Sequence, residues 1–193
     1  MAYNPKLHHR RSIRLKEWDY SRPGGYFVTI CTNRREAMFG EVRGKKMRLN
    51  RYGRIVQQSW KDLPAHYHNT HLDEFIIMPN HVHGIIVVTE NTAVGNAMNR
   101  RPLSEIIRAL KSFSARRINA LRGITGVPVW QRNYYEHIIR TEEELRRVRE
   151  YIESNPLKWP LDGENRDNTA KKVSLLTPFQ EEAHEVNERV FRW

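Results

Sequence analysis

The chain has 193 residues, of which 39% are hydrophobic and 28% are charged, a composition that fits a globular domain with a sizeable core and argues against a disordered chain. Lys and Arg number 33 against 22 Asp and Glu, and the formal net charge of +11 indicates a polyanionic partner, with nucleic acid as the first candidate and an anionic membrane surface as the second. We expect a cytoplasmic protein with no membrane span, no disulfide and no thiolate metal cluster, because the sequence has no long apolar run, no secretory signal and a single cysteine, Cys31.

The basic residues are concentrated in the first part of the chain. Residues 160–193 contain seven acidic and five basic residues, so the excess of positive charge belongs to residues 1–159. We therefore predict one functional domain over residues 1–159, beginning with a basic arm at 1–19. A C-terminal tail follows at 160–193, and the sequence assigns no role to it.

Turn signals and hydrophobic periodicity divide the domain into strands and helices. Pro23-Gly24-Gly25 is a turn signal before a run of strand formers. Thr141, with Glu144 three residues later, has the capping-box pattern of a helix start, and Pro156 follows that helix. The predicted elements, in chain order, are a strand at 26–32, a hairpin at 39–49, a helix at 51–63, a strand at 72–78, a strand that begins at 81, a helix from 102 to about 121, a strand at 129–140 and a helix from 141 to about 154.

The order of these elements predicts the fold. Without the hairpin, the chain reads βαββαβ followed by one more helix. This is the ferredoxin-like plan, in which helices pack on one face of an antiparallel sheet. The sequence thus predicts an α+β protein with a ferredoxin-like sheet, an inserted β-hairpin and a C-terminal helix that carries Tyr151.

His81 and His83 stand at alternate positions at the start of an apolar, β-branched run. In a strand, residues i and i+2 point to the same face, so both imidazoles project side by side while Val82 faces the other layer. Two imidazoles on one rigid face provide half of a site for a divalent metal. The plain alternative is a strand that begins with two polar residues, and the motif alone does not exclude it.

Tyr151 and Asn155 lie one turn apart on the last predicted helix, at one edge of its apolar stripe. Glu144 falls on nearly the same line. Each residue has an ordinary alternative: a tyrosine at the boundary of the core is common, and an asparagine before Pro156 suits a helix end. Taken together with the histidine pair, however, a single chemistry uses all four side chains.

That chemistry is phosphodiester cleavage by a tyrosine. A metal held by His81 and His83 would take a third ligand from Asn155 and would polarise a phosphodiester. Tyr151 would attack phosphorus and form a covalent phosphotyrosine. Because a phenol has a pKa near ~10, it leaves more easily than an alkoxide, so a later hydroxyl can reverse the step.

Four blocks of sequence carry a resemblance to a known family. His81-Val82-His83 resembles the His-hydrophobic-His motif of the HUH endonucleases, and the set of blocks resembles the REP-associated tyrosine transposases, relatives of the single-tyrosine insertion-sequence transposases. The resemblance covers roughly residues 8–159. The blocks are Met78-Pro79-Asn80-His81-Val82-His83, Leu110-Lys111-Ser112-Phe113, Val129-Trp130-Gln131-Arg132-Asn133-Tyr134-Tyr135-Glu136-His137 and Tyr151-Ile152-Glu153-Ser154-Asn155-Pro156.

The resemblance implies a metal-dependent endonuclease and strand transferase for single-stranded DNA. Tyr151 would be the nucleophile, and His81, His83 and Asn155 would be the metal ligands. Insertion-sequence relatives often have glutamine in place of this asparagine, so Asn155 fits the REP-associated branch better. In that branch the substrate is a chromosomal palindromic hairpin, and the ion is Mg²⁺ or Mn²⁺. The proteins of that branch are expected to be monomers, whereas the insertion-sequence relatives are dimers. The resemblance therefore favours a monomer, leaves a homodimer open and places the protein at the nucleoid.

Other residues compete for roles in this site. Tyr134 and Tyr135 are rival nucleophiles, but they lie on a predicted strand with no Asn or Gln one helical turn away, so we rank them below Tyr151. Tyr135 and His137 share one strand face and, with Glu144, are candidates to line the site. A packed, purely structural His137 is an equal alternative.

Basic residues cluster on the long predicted helix, at its ends and in the N-terminal arm. Charges on a helix usually form a solvated face, but a cluster of one sign suits phosphate contacts. Arg132 beside Trp130 is also a candidate to clamp an unpaired base. The predicted DNA-binding residues are Arg101, Arg108, Lys111, Arg116, Arg132, Arg10 and Arg11.

Three other functions compete with the transposase interpretation. The first is a catalytically silent protein that binds hairpin nucleic acid on the same fold. The second is a replication initiator or relaxase with the same chemistry, which the small size and the absence of a helicase segment disfavour. The third is a ferredoxin-like RNA binder, which would have no need for the histidine pair.

Overall fold

The structure is a computed structural model that describes residues 22–90, 101–162 and 165. The predicted basic arm, with Arg10 and Arg11, and most of the predicted tail lie outside the described residues. The strands are β1 (Gly24–Cys31), β2 (Gly40–Arg43), β3 (Lys46–Leu49), β4 (Thr70–Ile77), β5 (His81–Val88) and β6 (Tyr135–Ile139). The helices are α1 (Arg51–Lys61), α2 (Leu63–His66), α3 (Leu103–Leu121) and α4 (Glu142–Lys158), with a 3-10 turn at Trp159–Leu161.

Four strands form one antiparallel sheet in the order β4-β5-β1-β6. The two central strands, β1 and β5, are not consecutive in the chain, because α1 and α3 each carry the chain across the sheet. This is the strand order of the ferredoxin-like plan, so the predicted fold is confirmed. β2 and β3 form a separate hairpin that turns at Gly44 and Lys45, which is the predicted insertion.

Helices cover both faces of this sheet. Alternate residues of the central strands pack against α1 and α3 in the larger core, which contains Tyr26, Val28, Ile30, Val82 and Ile86. The intervening residues face α4 in a smaller core. The buried apolar members of this second core are Phe27, Ile85, Val148 and Ile152. Because side chains alternate along β1 and β5, one face of the sheet packs in the larger core and the other face packs against α4.

Three element boundaries differ from those predicted from the sequence. The predicted strand at 129–140 is regular only over Tyr135–Ile139, and Trp130 makes one isolated bridge to Thr32. Pro64 does not simply end α1; it lies in the first turn of α2, where its missing N–H costs no helical hydrogen bond. α4 runs past Pro156 to Lys158, since a proline near a helix end removes only one hydrogen bond.

Within the described ranges, the structure contains no helix with the length and apolarity needed to cross a bilayer.

Gly84, which follows His83 in β5, fixes how closely α1 approaches the sheet. The Trp60 ring of α1 stacks on Phe75 with ring centroids 5.4 Å apart. A Cβ added to Gly84 would lie 2.4 Å from Trp60 Cζ2 and 2.9 Å from Phe75 Cβ. The absence of a side chain here therefore lets the Trp60 ring lie directly against the strand that carries the histidines.

We predict that Gly84→Ala lowers the free energy of unfolding by about 1–3 kcal/mol, because the fully buried Trp60 ring has to move. Denaturant unfolding measures this loss. Gly25→Ala is the matched control, since its Cβ would meet Ile139 at an ordinary 3.5 Å, and we expect it to stay within about 1 kcal/mol of the parent. Equal losses in the two variants would contradict this account of the close approach.

Candidate active site

His81 and His83 lie side by side on the face of β5 that is covered by α4. Their ring centroids are 4.4 Å apart, and both residues are buried. In the register of the sheet, His83 lies opposite Thr29 and His81 lies opposite Cys31, the last residue of β1. The predicted arrangement of two imidazoles on one face is thus present.

A polar neighbour orients each imidazole through its Nδ1 atom. His83 Nδ1 and Thr29 Oγ1 are hydrogen-bonded at 2.8 Å, and His81 Nδ1–H donates to Asn80 Oδ1 at 2.8 Å. The Asn80 amide also donates from Nδ2 to the Arg35 carbonyl at 3.3 Å, which is consistent with Oδ1 facing the ring. The Nε2 atom of each histidine is therefore directed away from these partners, as in metal-binding histidines whose other nitrogen is held by an outer contact.

Burial keeps both rings neutral at pH 7. It lowers the pKa of His83 to about 3. Burial is also the main cause that brings the pKa of His81 well below its ordinary value, and the charges of His83 and Arg35 lower it further. A neutral imidazole has the free lone pair that metal ligation requires.

Tyr151 reaches the histidine pair from α4. Its hydroxyl lies 3.3 Å from His83 Nε2, and its ring meets the edge of Phe27 at a centroid distance of 5.9 Å. Burial raises the pKa of the phenol, the charge of Asp162 raises it further, and a hydrogen bond with Asn155 opposes both effects. The sequence prediction that Tyr151 and the histidines come together is borne out by this geometry, whereas the catalytic role of Tyr151 stays a prediction.

Among the residues that the structure describes, two buried acceptor atoms at this site have no hydrogen-bond partner. They are His81 Nε2 and Asn155 Oδ1. An unpaired buried polar atom costs about 1–3 kcal/mol, so such atoms call for a water, an ion or a ligand. In the part of the chain that the structure describes, no three His, Cys, Asp or Glu side chains are grouped to hold a metal. Two imidazole nitrogens and the carboxamide oxygen of Asn155 form a mixed nitrogen and oxygen donor set. Such a set fits a divalent cation.

The structure adds four residues to this site that the sequence did not indicate. Thr29 and Asn80 orient the imidazoles, as described above. Trp159 lies over His81 with ring centroids 5.9 Å apart, and burial raises the pKa of Asp162 to about 6. Thr29 depends on strand register, which no local pattern encodes. Trp159 and Asp162 lie at the predicted boundary between domain and tail, where no motif singled them out.

The residues predicted to line the site form a separate contact beside it. His137 Nε2 pairs with Glu144 Oε1, joining β6 to the first turn of α4. Glu144 Oε2 also accepts the Arg140 N–H at 2.7 Å. Burial raises the pKa of Glu144, but the Arg140 N–H and His137 together bring it below its usual value. Tyr135 packs at the edge of Phe27 with a centroid distance of 6.5 Å, so the rival nucleophile belongs to the apolar layer under α4.

Of the predicted DNA-binding residues, Lys111 has the most specific environment. Its ammonium donates to the carbonyls of Gln131, Arg132 and Asn133 at 2.8, 3.1 and 3.0 Å. An ammonium has three N–H donors, and these three carbonyls match that number. Lys111 thus holds the 131–133 loop in place, and a direct phosphate contact is not supported by this geometry.

The other described basic candidates lie on the surface. Arg101 pairs with Glu105 at 3.2 Å, and Arg108 is 4.0 Å from the same carboxylate. Arg116 lies over the Phe113 ring at 4.9 Å, and Arg132 is exposed. A groove of about 460 Å³ between α3 and the 127–134 segment is lined in part by Arg108 and Arg132.

Trp130 does not offer a stacking surface to a base. It is 7% exposed, packs on Phe39 with ring centroids 5.0 Å apart, and donates its Nε1–H to Ser114 Oγ at 2.9 Å. The same segment nevertheless approaches the histidines, because Gln131 N–H donates to the Cys31 carbonyl and Cys31 lies opposite His81. The Arg132 loop and the histidine pair are therefore at the same end of the sheet.

A family model described as "Transposase IS200 like" matches residues 25–155, which include both histidines, Tyr151 and Asn155. The chain belongs to the IS200-like transposase family. A Haemophilus influenzae protein named as uncharacterized is 40% identical over 174 residues, which cover 83% of this chain and 95% of that protein. The family match confirms the transposase interpretation of the sequence.

Two further comparisons find similarity to proteins named REP-associated tyrosine transposases. A second Haemophilus influenzae protein, provisionally named a REP-associated tyrosine transposase, is 25% identical over 166 residues, covering 79% of this chain and 86% of that protein. A solved REP-associated tyrosine transposase, bound to a REP hairpin, superposes with a TM-score of 0.53 at 18% identity, covering 75% of this chain and 73% of the other. This IS200-like transposase thus shares the fold of that enzyme.

We predict that Lys111→Met lowers the free energy of unfolding by about 1.5–3 kcal/mol, because three carbonyls lose a charged donor. Thermal or denaturant unfolding measures the loss. Arg108→Met, at an exposed position on the same helix, is the control and should change stability by no more than about 0.5 kcal/mol. If Lys111→Met is as stable as the control, the ammonium does not hold the loop.

Proposed function

We propose that this transposase is a metal-dependent endonuclease and strand transferase for single-stranded DNA, acting at hairpin sites through a covalent 5′-phosphotyrosine. One observation carries the proposal: the Tyr151 hydroxyl lies 3.3 Å from His83 Nε2, beside two buried acceptor atoms, on His81 and Asn155, that have no partner among the described residues. Membership in the IS200-like transposases supports the same chemistry.

In this proposal His81, His83 and Asn155 hold a divalent ion, Mg²⁺ or Mn²⁺. The ion, when bound, supplies positive charge that polarises the phosphodiester and stabilises the phenolate. His81 and His83 offer neutral imidazole nitrogens because burial keeps them unprotonated. Thr29 and Asn80 hold the ring planes through Nδ1, so the geometry of the donors does not depend on the ion.

Tyr151 is the proposed nucleophile. Its phenolic oxygen forms a bond to phosphorus as the bond between phosphorus and the 3′-oxygen breaks, and the phenolic proton is lost as the departing oxygen gains one. The products are a 5′-phosphotyrosine on the protein and a free 3′-hydroxyl on the other strand end. Because the diester bond energy is retained in the aryl phosphate, a DNA hydroxyl can attack the phosphotyrosine and complete strand transfer.

The proposed substrate is hairpin DNA of the REP type. A similar transposase of the same fold was solved with a REP hairpin bound, and a relative is provisionally named for the same branch. The net charge of +11 and the exposed Arg108 and Arg132 beside the groove support binding to a polyanion. We propose that Arg101 and Arg116 add to this surface from α3, and that the enzyme acts at the nucleoid in the cytoplasm.

We propose that one protomer forms the whole site. Tyr151 and Asn155 belong to α4, and α4 packs on the sheet of its own chain against Phe27 and Ile85. The histidines lie on that same sheet. All four proposed catalytic and metal-binding side chains thus come from one subunit, which favours a monomer.

We predict that Tyr151→Phe abolishes the covalent adduct with labelled hairpin DNA in Mn²⁺, because the attacking oxygen is removed. DNA binding should stay within about twofold, since the ring and its contacts with Phe27 remain. Denaturing gel electrophoresis detects the adduct. Tyr135→Phe is the control and should form the adduct normally. An adduct in Tyr151→Phe would refute the nucleophile, and no adduct in the unaltered protein would favour a silent hairpin-binding protein.

We predict that Asn155→Ala weakens Mn²⁺ binding at least about tenfold, because one of three protein ligands is lost. Electron paramagnetic resonance measures free Mn²⁺ during a titration without DNA, so this readout is independent of cleavage. His81→Ala should have a larger effect, and Glu153→Ala, at an exposed position on the same helix, should have none. Unchanged Mn²⁺ affinity in Asn155→Ala would remove Asn155 from the ligand set.

A further inference from the structure

α4 is tied to both edge strands of the sheet by polar contacts. Near its start, Glu144 pairs with His137 of β6. Five residues later, Arg149 forms a bidentate ion pair with Asp73 of β4, with Nε–Oδ1 at 2.8 Å and Nη2–Oδ2 at 2.6 Å. β6 and β4 are the two edges of the sheet, so the helix is held from opposite sides.

Asp73 lies on the α4 side of β4, at a local irregularity of the strand. Leu72 pairs with Ile86 and Phe75 pairs with Gly84, so Asp73 and Glu74 together lie opposite one residue of β5. Asp73 directly follows Leu72, which packs in the larger core on the α1 side, so the alternation of side chains along the strand directs Asp73 to the opposite layer. The β-bulge returns Phe75 to the larger core after this position.

The two contacts lie on different sides of the apolar stripe of α4. At about 100° per residue, Glu144 and Tyr151 fall on one side of Val148, and Arg149 falls on the other. Rotation of the helix about its axis that moves Tyr151 away from His83 would therefore break one or both contacts. The bidentate geometry of an arginine and a carboxylate is directional, so it restrains rotation as well as distance.

The apolar contacts of α4 alone restrain rotation weakly. In the described part of the chain, the smaller core has four fully buried apolar members, two of them on the helix, and Leu145 and Tyr151 of the helix pack partly buried against them. Apolar packing is not directional, so it sets the rotation of the helix less sharply than a hydrogen-bonded pair does. The polar contacts at the edges are then the specific restraints on the direction of the Tyr151 side chain.

We propose that the Asp73–Arg149 ion pair, together with the Glu144–His137 pair, is a positioning device that sets the rotation of α4 and thereby aligns Tyr151 and Asn155 with the histidines. This inference rests on the proposed function, because the alignment matters only if Tyr151 is the nucleophile and Asn155 a ligand. Asp73 is ionised for this role, since the hydrogen bond from Arg149 lowers the pKa of its carboxyl.

The test compares Arg149→Ala with Arg146→Ala. Arg146 pairs with Glu143 and Glu150, both on α4 itself, so its loss removes ion pairs from the same helix without releasing it from the sheet. At saturating DNA and Mn²⁺, we expect Arg149→Ala to form the adduct at least about fivefold more slowly. Its Mn²⁺ affinity should fall about threefold or more, while DNA affinity stays within about twofold. Arg146→Ala should stay within about twofold of the parent in every measurement.

A charge-swapped double variant, Asp73→Arg/Arg149→Asp, separates positioning from general stability. We expect it to recover at least about half of the lost rate, because the pair can form again in the opposite sense. Equal rates in Arg149→Ala and Arg146→Ala would overturn the proposal. So would a rate that follows only the fraction of folded protein, as judged from unfolding curves.

Hydrogen exchange keeps this test distinct from that of the proposed function. We expect faster amide exchange across 144–155 in Arg149→Ala but not in Arg146→Ala, with the central strands unchanged. If the unaltered protein forms no adduct, the proposed function fails, and the exchange data alone decide whether the pair restrains α4. Exchange that is identical in both variants refutes the restraint whatever the enzyme activity.

Discussion

The rest of the site depends on the burial of two neighbouring imidazoles at one end of the sheet. Burial removes water from His81 and His83 and holds both rings in the neutral form. Each ring must then satisfy one nitrogen within the protein, which Asn80 and Thr29 do. The Nε2 atom of His83 meets α4, and the helix that covers it must bring compatible chemistry. A plain apolar helix would leave this acceptor unpaired at a cost of about 1–3 kcal/mol.

α4 meets that demand with two sets of side chains, one that packs on the sheet and one that is polar. Val148 and Ile152 provide apolar contact with the sheet, and Leu145 and Tyr151 pack partly buried beside them. On the neighbouring line of the helix, Tyr151 meets His83 Nε2 and shares a hydrogen bond with Asn155. Apolar packing is not directional, so directional contacts are needed to define the orientation of the helix. The Asp73–Arg149 ion pair and the Glu144–His137 contact at the two sheet edges are of that type.

Local patterns allowed much of the fold and half of the site geometry to be predicted. The period of two in His81-Val82-His83 and the turn between Tyr151 and Asn155 are properties of single elements, so the sequence specifies them directly. The pairing of Thr29 with His83 and the bulge beside Asp73 depend on how strands from distant parts of the chain align, and no single segment encodes that alignment. The irregular path of 129–134 was missed for the same reason. The segment packs side chains in the core and offers a backbone carbonyl to Lys111, and it makes only an isolated bridge to Thr32 in the described residues.

The environment of Lys111 also changes how the net charge relates to DNA binding. Same-sign residues on α3 predicted a row of phosphate contacts, yet Lys111 directs its ammonium at three backbone carbonyls. Those carbonyls carry no net charge, so Lys111 keeps its positive charge and still contributes to the potential around the groove. Its second effect is geometric, because the loop that it holds presents Arg132 at the surface and, through Gln131, contacts the strand end opposite His81. The half-buried Lys111 thus connects the groove to the histidine end of the sheet through the loop that it holds.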